Sequence, residues 1–131
     1  MMSDVQVASK LNFSSVLIGS AQPAALVDFY TKLFGKPADM NDGGYSGWVV
    51  GKGFLTVGAH SEIHGQAKEP ARILLNFESP DVQGEFARLK GLGATVIKEP
   101  YSMGEGDQVA WIATLADPDG NYIQLMSPFE M

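Results

Sequence analysis

The strand, helix and turn signals of this chain run through one order and then repeat it, and that repeat constrains the fold more than any single motif. FSSVLIG (13–19) is rich in branched and aromatic residues and predicts a strand. SAQPAALVDFYTKLFG follows with helix grammar. Ser20 or Gln22 can cap, Pro23 suits the first turn, and Gly35 suits a left-handed stop. Leu26, Phe29, Tyr30 and Leu33 recur at helical spacing. KPADMNDGGY is turn-rich with room for a short strand. SGWVVG and GFLTVGA predict two strands around a Gly51-Lys52-Gly53 turn. After the polar HSEIHGQAKEP the pattern restarts. ARILLNFE predicts a strand, and SPDVQGEFARLKGLG predicts a helix with Ser79 as cap, Phe86, Leu89 and Leu92 inward, and Gly93 as stop. ATVIKEP, QVAWIATLAD and NYIQLMS predict three more strands, the last two joined by an Asp117-Pro118-Asp119-Gly120 turn.

The repeat has a period of about 60 residues, and a unit that small cannot cover both faces of its own sheet. Two such units solve the problem by packing together. The expected architecture is α+β: one domain of two tandem βαβββ modules, module one about 12–60, a linker about 61–70 and module two about 71–128. The modules form a curved mixed sheet around a cleft, with the helices outside. A ferredoxin-like sandwich without a cavity is the competing arrangement. The hydrophobic fraction of 45% supplies a core, and a net charge of −6 argues against a general nucleic-acid binder. The absence of cysteine removes disulfides and thiolate chemistry. MMSDVQVASKLNF lacks the basic head and apolar run of a signal peptide, and no window approaches the roughly 20 apolar residues of a spanning helix. A cytoplasmic protein without a membrane partner is expected.

Three stretches carry a family resemblance: VLIGSAQPAALVDFYTKLFG, LLNFESPDVQGEFARLKGLGATV and LADPDGNYIQLMSP. Together they resemble the glyoxalase/bleomycin-resistance/dioxygenase superfamily, the vicinal oxygen chelate proteins, over roughly Phe13 to Pro128. The resemblance implies paired βαβββ modules and a homodimer. It also implies four positions where metal-dependent members carry a histidine on each module's first strand and a carboxylate on each module's last. Carried onto this chain, those positions are Ser15, Val57, Leu74 and Gln124. None offers an imidazole or a carboxylate, and neutral oxygens alone do not repay stripping water from a divalent ion. No metal or other cofactor is therefore expected in the usual place.

One rival metal set exists. In AHSEIH, His60, Glu62 and His64 alternate, and an extended backbone puts all three on one face. Metal-free acid–base chemistry finds only Glu78 and Glu99 near the cleft strands, and no nucleophile–base pair identifies itself, so no catalytic residue is assigned. The cleft reads instead as apolar and aromatic. The candidate ligand-binding residues are Trp48, Trp111, Tyr101 and Met103 for contact area, with Asn76, Gln124 and Ser15 for polar orientation. Most aromatics of this kind are simply core. EPYSMGEGDQ (99–108) reads either as a lid over the ligand or as a plain hairpin connection.

Three functions stay open at this point. The first is a metal-free protein binding an apolar or aromatic small molecule. The second is a lyase, isomerase or dioxygenase with a displaced metal site. The third is a dimeric interaction domain with no ligand of its own.

Overall fold

The computed structural model describes residues 9–105 and 109–128. The elements follow the repeat: β1 (Val16–Ser20), α1 (Pro23–Phe34), β2 (Met40–Asp42), β3 (Tyr45–Val50) and β4 (Gly53–Ala59) form the first module. The second contains β5 (Leu75–Glu78), α2 (Val82–Gly91), β6 (Thr95–Met103), β7 (Ala110–Ala116) and β8 (Tyr122–Met126). Each module makes one four-stranded mixed sheet, in the order β1-β4-β3-β2 and β5-β8-β7-β6. In each sheet the first strand runs parallel to the last and the other pairs are antiparallel. This is the βαβββ architecture. Among the described residues no strand pairing joins the two sheets, which stay open.

Helix α1 forms where its signals place it. Pro23 occupies the first turn, and Gly35 ends the helix at φ 69° in the left-handed region. Leu26, Tyr30 and Leu33 are buried at i, i+4 and i+7. Each fully buried side chain of this size contributes about 1.5–3 kcal/mol. In α2 the cap is Asp81, not Ser79: the Asp81 carboxylate accepts the Gly84 N–H at 2.9 Å, while the Ser79 hydroxyl accepts the Asp81 N–H ahead of the helix. Leu92 also departs from expectation, standing exposed beyond the helix end.

The strands differ at their ends from the sequence reading. β1 pairs with β4 only from Val16 on, so Phe13–Ser15 precede the sheet. β5 begins at Leu75, because Pro70–Arg72 wind into a 3₁₀ turn first. β6 runs on to Met103, so the stretch read as a lid is strand as far as that residue, and residues 106–108 lie outside the described part.

One core serves both modules. It gathers Leu26, Tyr30 and Trp48 from the first with Phe86, Leu115 and Ile123 from the second. Polar contacts tie the halves as well. The Tyr30 hydroxyl donates to Asp117 Oδ2 at 2.8 Å, and Gln22 Nε2 donates to Asp119 Oδ1 at 2.7 Å. Arg88 of α2 donates to the Lys32 and Leu33 carbonyls at the C-terminal end of α1. Phe34 meets Phe77 edge-on at 5.4 Å between ring centroids.

Candidate functional site

Strand alternation sorts every strand residue onto one of two faces. In the first sheet, Leu55 and Val57 of β4 point into the core. Their register partners on β1 are Val16 and Ile18, and Trp48 lies opposite Leu55, so these share the covered face. The opposite, open face carries Leu17, Val49, Phe54, Thr56 and Tyr45. It is apolar: Leu17 and Val49 are each 51% exposed, and the Thr56 hydroxyl turns back to the Val16 carbonyl at 3.2 Å. Two glycines let aromatic rings lie flat on it. A Cβ at Gly58 would collide with the Tyr45 ring, and one at Gly47 would stand 2.6 Å from Phe54 Cζ.

The second sheet is different. Leu75, Phe77, Ala113, Leu115, Ile123 and Leu125 belong to the core or pack on it. Its open face therefore holds the alternate residues, and the register arranges them in rungs across four strands. One rung runs Asn76–Gln124–Thr114–Lys98, from β5 through β8 and β7 to β6. The next runs Glu78–Met126–Ile112–Tyr101. A polar row thus lies beside a mostly apolar one. Lys98 Nζ sits 5.0 Å from the Tyr101 ring centroid, which places the ammonium on this face and over the adjoining rung.

Where the two sheets approach, an open groove of about 1010 Å³ separates Phe13–Val16 and the β3–β4 hairpin from Leu74–Glu78 of the second module. It is walled by Phe54, Leu74 and Met126, with Ser15, Asn76 and Glu78 as polar groups. The rungs begin at this groove, since Asn76, Glu78 and Met126 belong to both.

The candidates from sequence divide accordingly. Ser15 and Asn76 line the groove; Gln124 and Tyr101 lie on the open face of the second sheet, with Met103, which is paired to Ala110 at its far end. Trp48 does not line the cleft. It is 0% exposed, its ring 6.3 Å from Tyr30 and its indole N–H donating to the Lys36 carbonyl at 3.1 Å. Trp111 is likewise on the covered face, packed on the core and held through its backbone to Ser127. Sequence reasoning missed Thr114 and Lys98, which complete the polar rung.

The four positions that the resemblance marks for metal ligands provide no ligand set. Val57 points into the core, and the neighbouring open-face residues of β4 are Thr56 and Gly58. Leu74 is apolar, while Ser15 and Gln124 are neutral oxygen donors. The rival set fails on backbone geometry. β4 ends at Ala59, and the chain then turns, with the Ile63 N–H bonded to the His60 carbonyl at 3.1 Å and the Glu62 N–H to His60 Nδ1 at 3.1 Å. The alternation that would align His60, Glu62 and His64 requires an extended chain, which is not there. Among the described residues no three His, Cys, Asp or Glu side chains stand close enough to hold a metal ion.

Two groups titrate away from their ordinary values. Burial, then the negative charge of Asp117, push the Tyr30 hydroxyl far above its ordinary value. Asp39 is held below the usual carboxylate range by its hydrogen bond from Lys36 and by the Val49 N–H.

Comparison with known proteins agrees with this architecture. The profile of the glyoxalase-like domain matches residues 15–126. A glyoxalase/bleomycin resistance protein/dioxygenase family enzyme from Burkholderia phytofirmans PsJN is 25% identical, with a TM-score of 0.69 over 91% of this chain and 100% of that one. A glyoxalase/bleomycin resistance protein from Albidiferax ferrireducens T118 is 22% identical, with a TM-score of 0.70 over 88% of this chain and 98% of that one. A glyoxalase-related enzyme from Fulvimarina pelagi is 16% identical, with a TM-score of 0.70 over 90% of this chain and 89% of that one. No functionally curated protein matches the chain significantly. No helix among the described residues is long and apolar enough to cross a membrane.

Proposed function

This chain belongs to the glyoxalase-like domain family of the vicinal oxygen chelate superfamily, and from that premise we propose that it binds an apolar or aromatic small molecule without a metal ion. The observation that carries the reading is the composition of the open face and its groove. About 1010 Å³ of space is walled by aromatic and methionine side chains, with a few side-chain polar groups set among them. Sites for small ligands have that makeup, apolar walls with sparse polar groups that fix orientation. The divalent ion implied by metal-dependent relatives does not fit, because the positions that would ligate it hold serine, valine, leucine and glutamine. The ligand is therefore held by shape, stacking and hydrogen bonds.

The same reading includes a homodimer. Leu17 and Val49 stand on a flat apolar face, where a second copy would remove them from water. Native mass spectrometry of freshly purified protein tests both parts at once. The expected spectrum shows a dimer that retains no stoichiometric divalent ion and carries a small organic adduct, or accepts one from a panel of aromatic compounds. A stoichiometric transition metal whose removal abolishes ligand uptake would sink the proposal.

A further inference from the structure

The polar rung on the second sheet consists of side chains that make no bonds among themselves. None of Asn76, Gln124, Thr114 and Lys98 makes a side-chain hydrogen bond or ion pair with another described residue. Asn76 and Lys98 are exposed, and the Thr114 hydroxyl stays reachable by solvent although the residue as a whole is only 7% exposed. A row of polar side chains without protein partners offers donors and acceptors that a ligand can take over from water.

The row has a polarity. Lys98 stands at its β6 end, with no carboxylate of a described residue within ion-pair distance, held over the Tyr101 ring. The acid next to it in sequence, Glu99, is turned toward α2, where Lys90 lies 3.9 Å away. Glu78 is on the same face but on β5, three strands from Lys98, or about 14 Å at ordinary strand spacing. The adjoining rung offers Tyr101, Ile112 and Met126 as a flat apolar floor.

We infer that the ligand is a planar apolar anion, its ring on the Tyr101–Ile112–Met126 floor and its carboxylate or equivalent oxyanion at Lys98 and the Thr114 hydroxyl, with the Gln124 amide donating alongside. This rests on the reading of the open face as a small-molecule site and adds the charge of the ligand. N⁺–H···O⁻ bonds are about twice as strong as neutral ones.

The test compares naphthoate with neutral naphthamide, which has the same ring and a similar shape, by titration calorimetry on the full chain. Naphthoate is expected to bind about five-fold more tightly, the effect of one partly solvated charge pair. Lys98→Met should erase that ratio while leaving naphthamide affinity unchanged. Lys32→Met, which removes a cation from the exposed side of α1, should keep it. Side-chain amide signals of Gln124 and Asn76 should shift in a nitrogen–proton correlation spectrum on binding. Equal affinity of the two compounds, or a ratio that survives Lys98→Met, overturns the anionic assignment and leaves the binding reading standing. Failure of both compounds to bind overturns the binding reading too.

Discussion

Replacing Tyr30 by phenylalanine isolates the hydrogen bond that joins the first helix to the second module. The Tyr30 hydroxyl is buried and donates to Asp117 Oδ2 at 2.8 Å. Asp117 also accepts from the Asp119 and Asn121 N–H groups and from Asn121 Nδ2, so Tyr30→Phe leaves its carboxylate with three of four donors. A hydrogen bond to a charged group is worth about 1.5–3 kcal/mol, which puts the loss near 2 kcal/mol, or about 6–10 °C in Tm for a chain of this size. The pH dependence makes the prediction sharper. In the unfolded chain the residue ionises near its ordinary value of 10.0, whereas in the folded protein burial and Asp117 keep it protonated well above that. The folded state then holds the extra proton, so its stabilising contribution is complete below pH 10 and is lost as pH rises beyond it, by about 1.4 kcal/mol per unit. Phenylalanine has no such term. The gap between the two proteins should therefore shrink from about 2 kcal/mol at pH 8 to about 0.6 kcal/mol at pH 11. Urea unfolding followed by tryptophan fluorescence reads it directly, since Trp48 lies 6.3 Å from Tyr30. A gap that stays constant between pH 8 and pH 11 refutes the reasoning.

Further outcomes follow from the same contacts. Trp48→Ala should destabilise the protein by about 3–5 kcal/mol in denaturant unfolding, because the indole is sealed in the core and its removal leaves a cavity. Asp81→Ala should cost about 1 kcal/mol and Ser79→Ala less, since Asp81 is the residue that caps α2. Gly58→Ala should destabilise by about 1–3 kcal/mol in the same assay, with the new methyl group displacing the Tyr45 ring. Chelation with EDTA, and the double change His60→Ala with His64→Ala, should both leave Tm unchanged in differential scanning fluorimetry, because no set of His, Cys, Asp or Glu among the described residues is placed to hold a metal.

The repeat of helix and strand signals was legible because it is written in local chemistry: Pro23 and Gly35 at the ends of α1, Gly93 after α2, and the Asp117–Gly120 turn before β8. What sequence could not resolve was which way each aromatic points. Trp48 and Trp111 sit on short apolar strands whose two faces look alike, and the register needed to choose between them comes from pairing across the sheet. Thr114 was within reach, because the tight turn at Asp117–Asn121 fixes it opposite Gln124. Lys98 was not. β6 carries two register shifts against β7, on either side of Lys98, and each one breaks the alternation by which a face is counted along a strand. The metal alternative at His60–His64 failed for a related reason: alternating residue types say nothing about whether the backbone that bears them is extended.

The open seam between the sheets has a mechanical consequence. With no backbone pairing across it, the spacing of β1 and β5 is governed from behind, by Arg88 gripping the end of α1 and by Phe34 abutting Phe77. Together with the shared core and the Tyr30–Asp117 bond, those contacts fix the separation of the two walls at the mouth. Phe34 and Arg88, which do not line the groove, thereby help to set how wide an aperture a guest molecule meets.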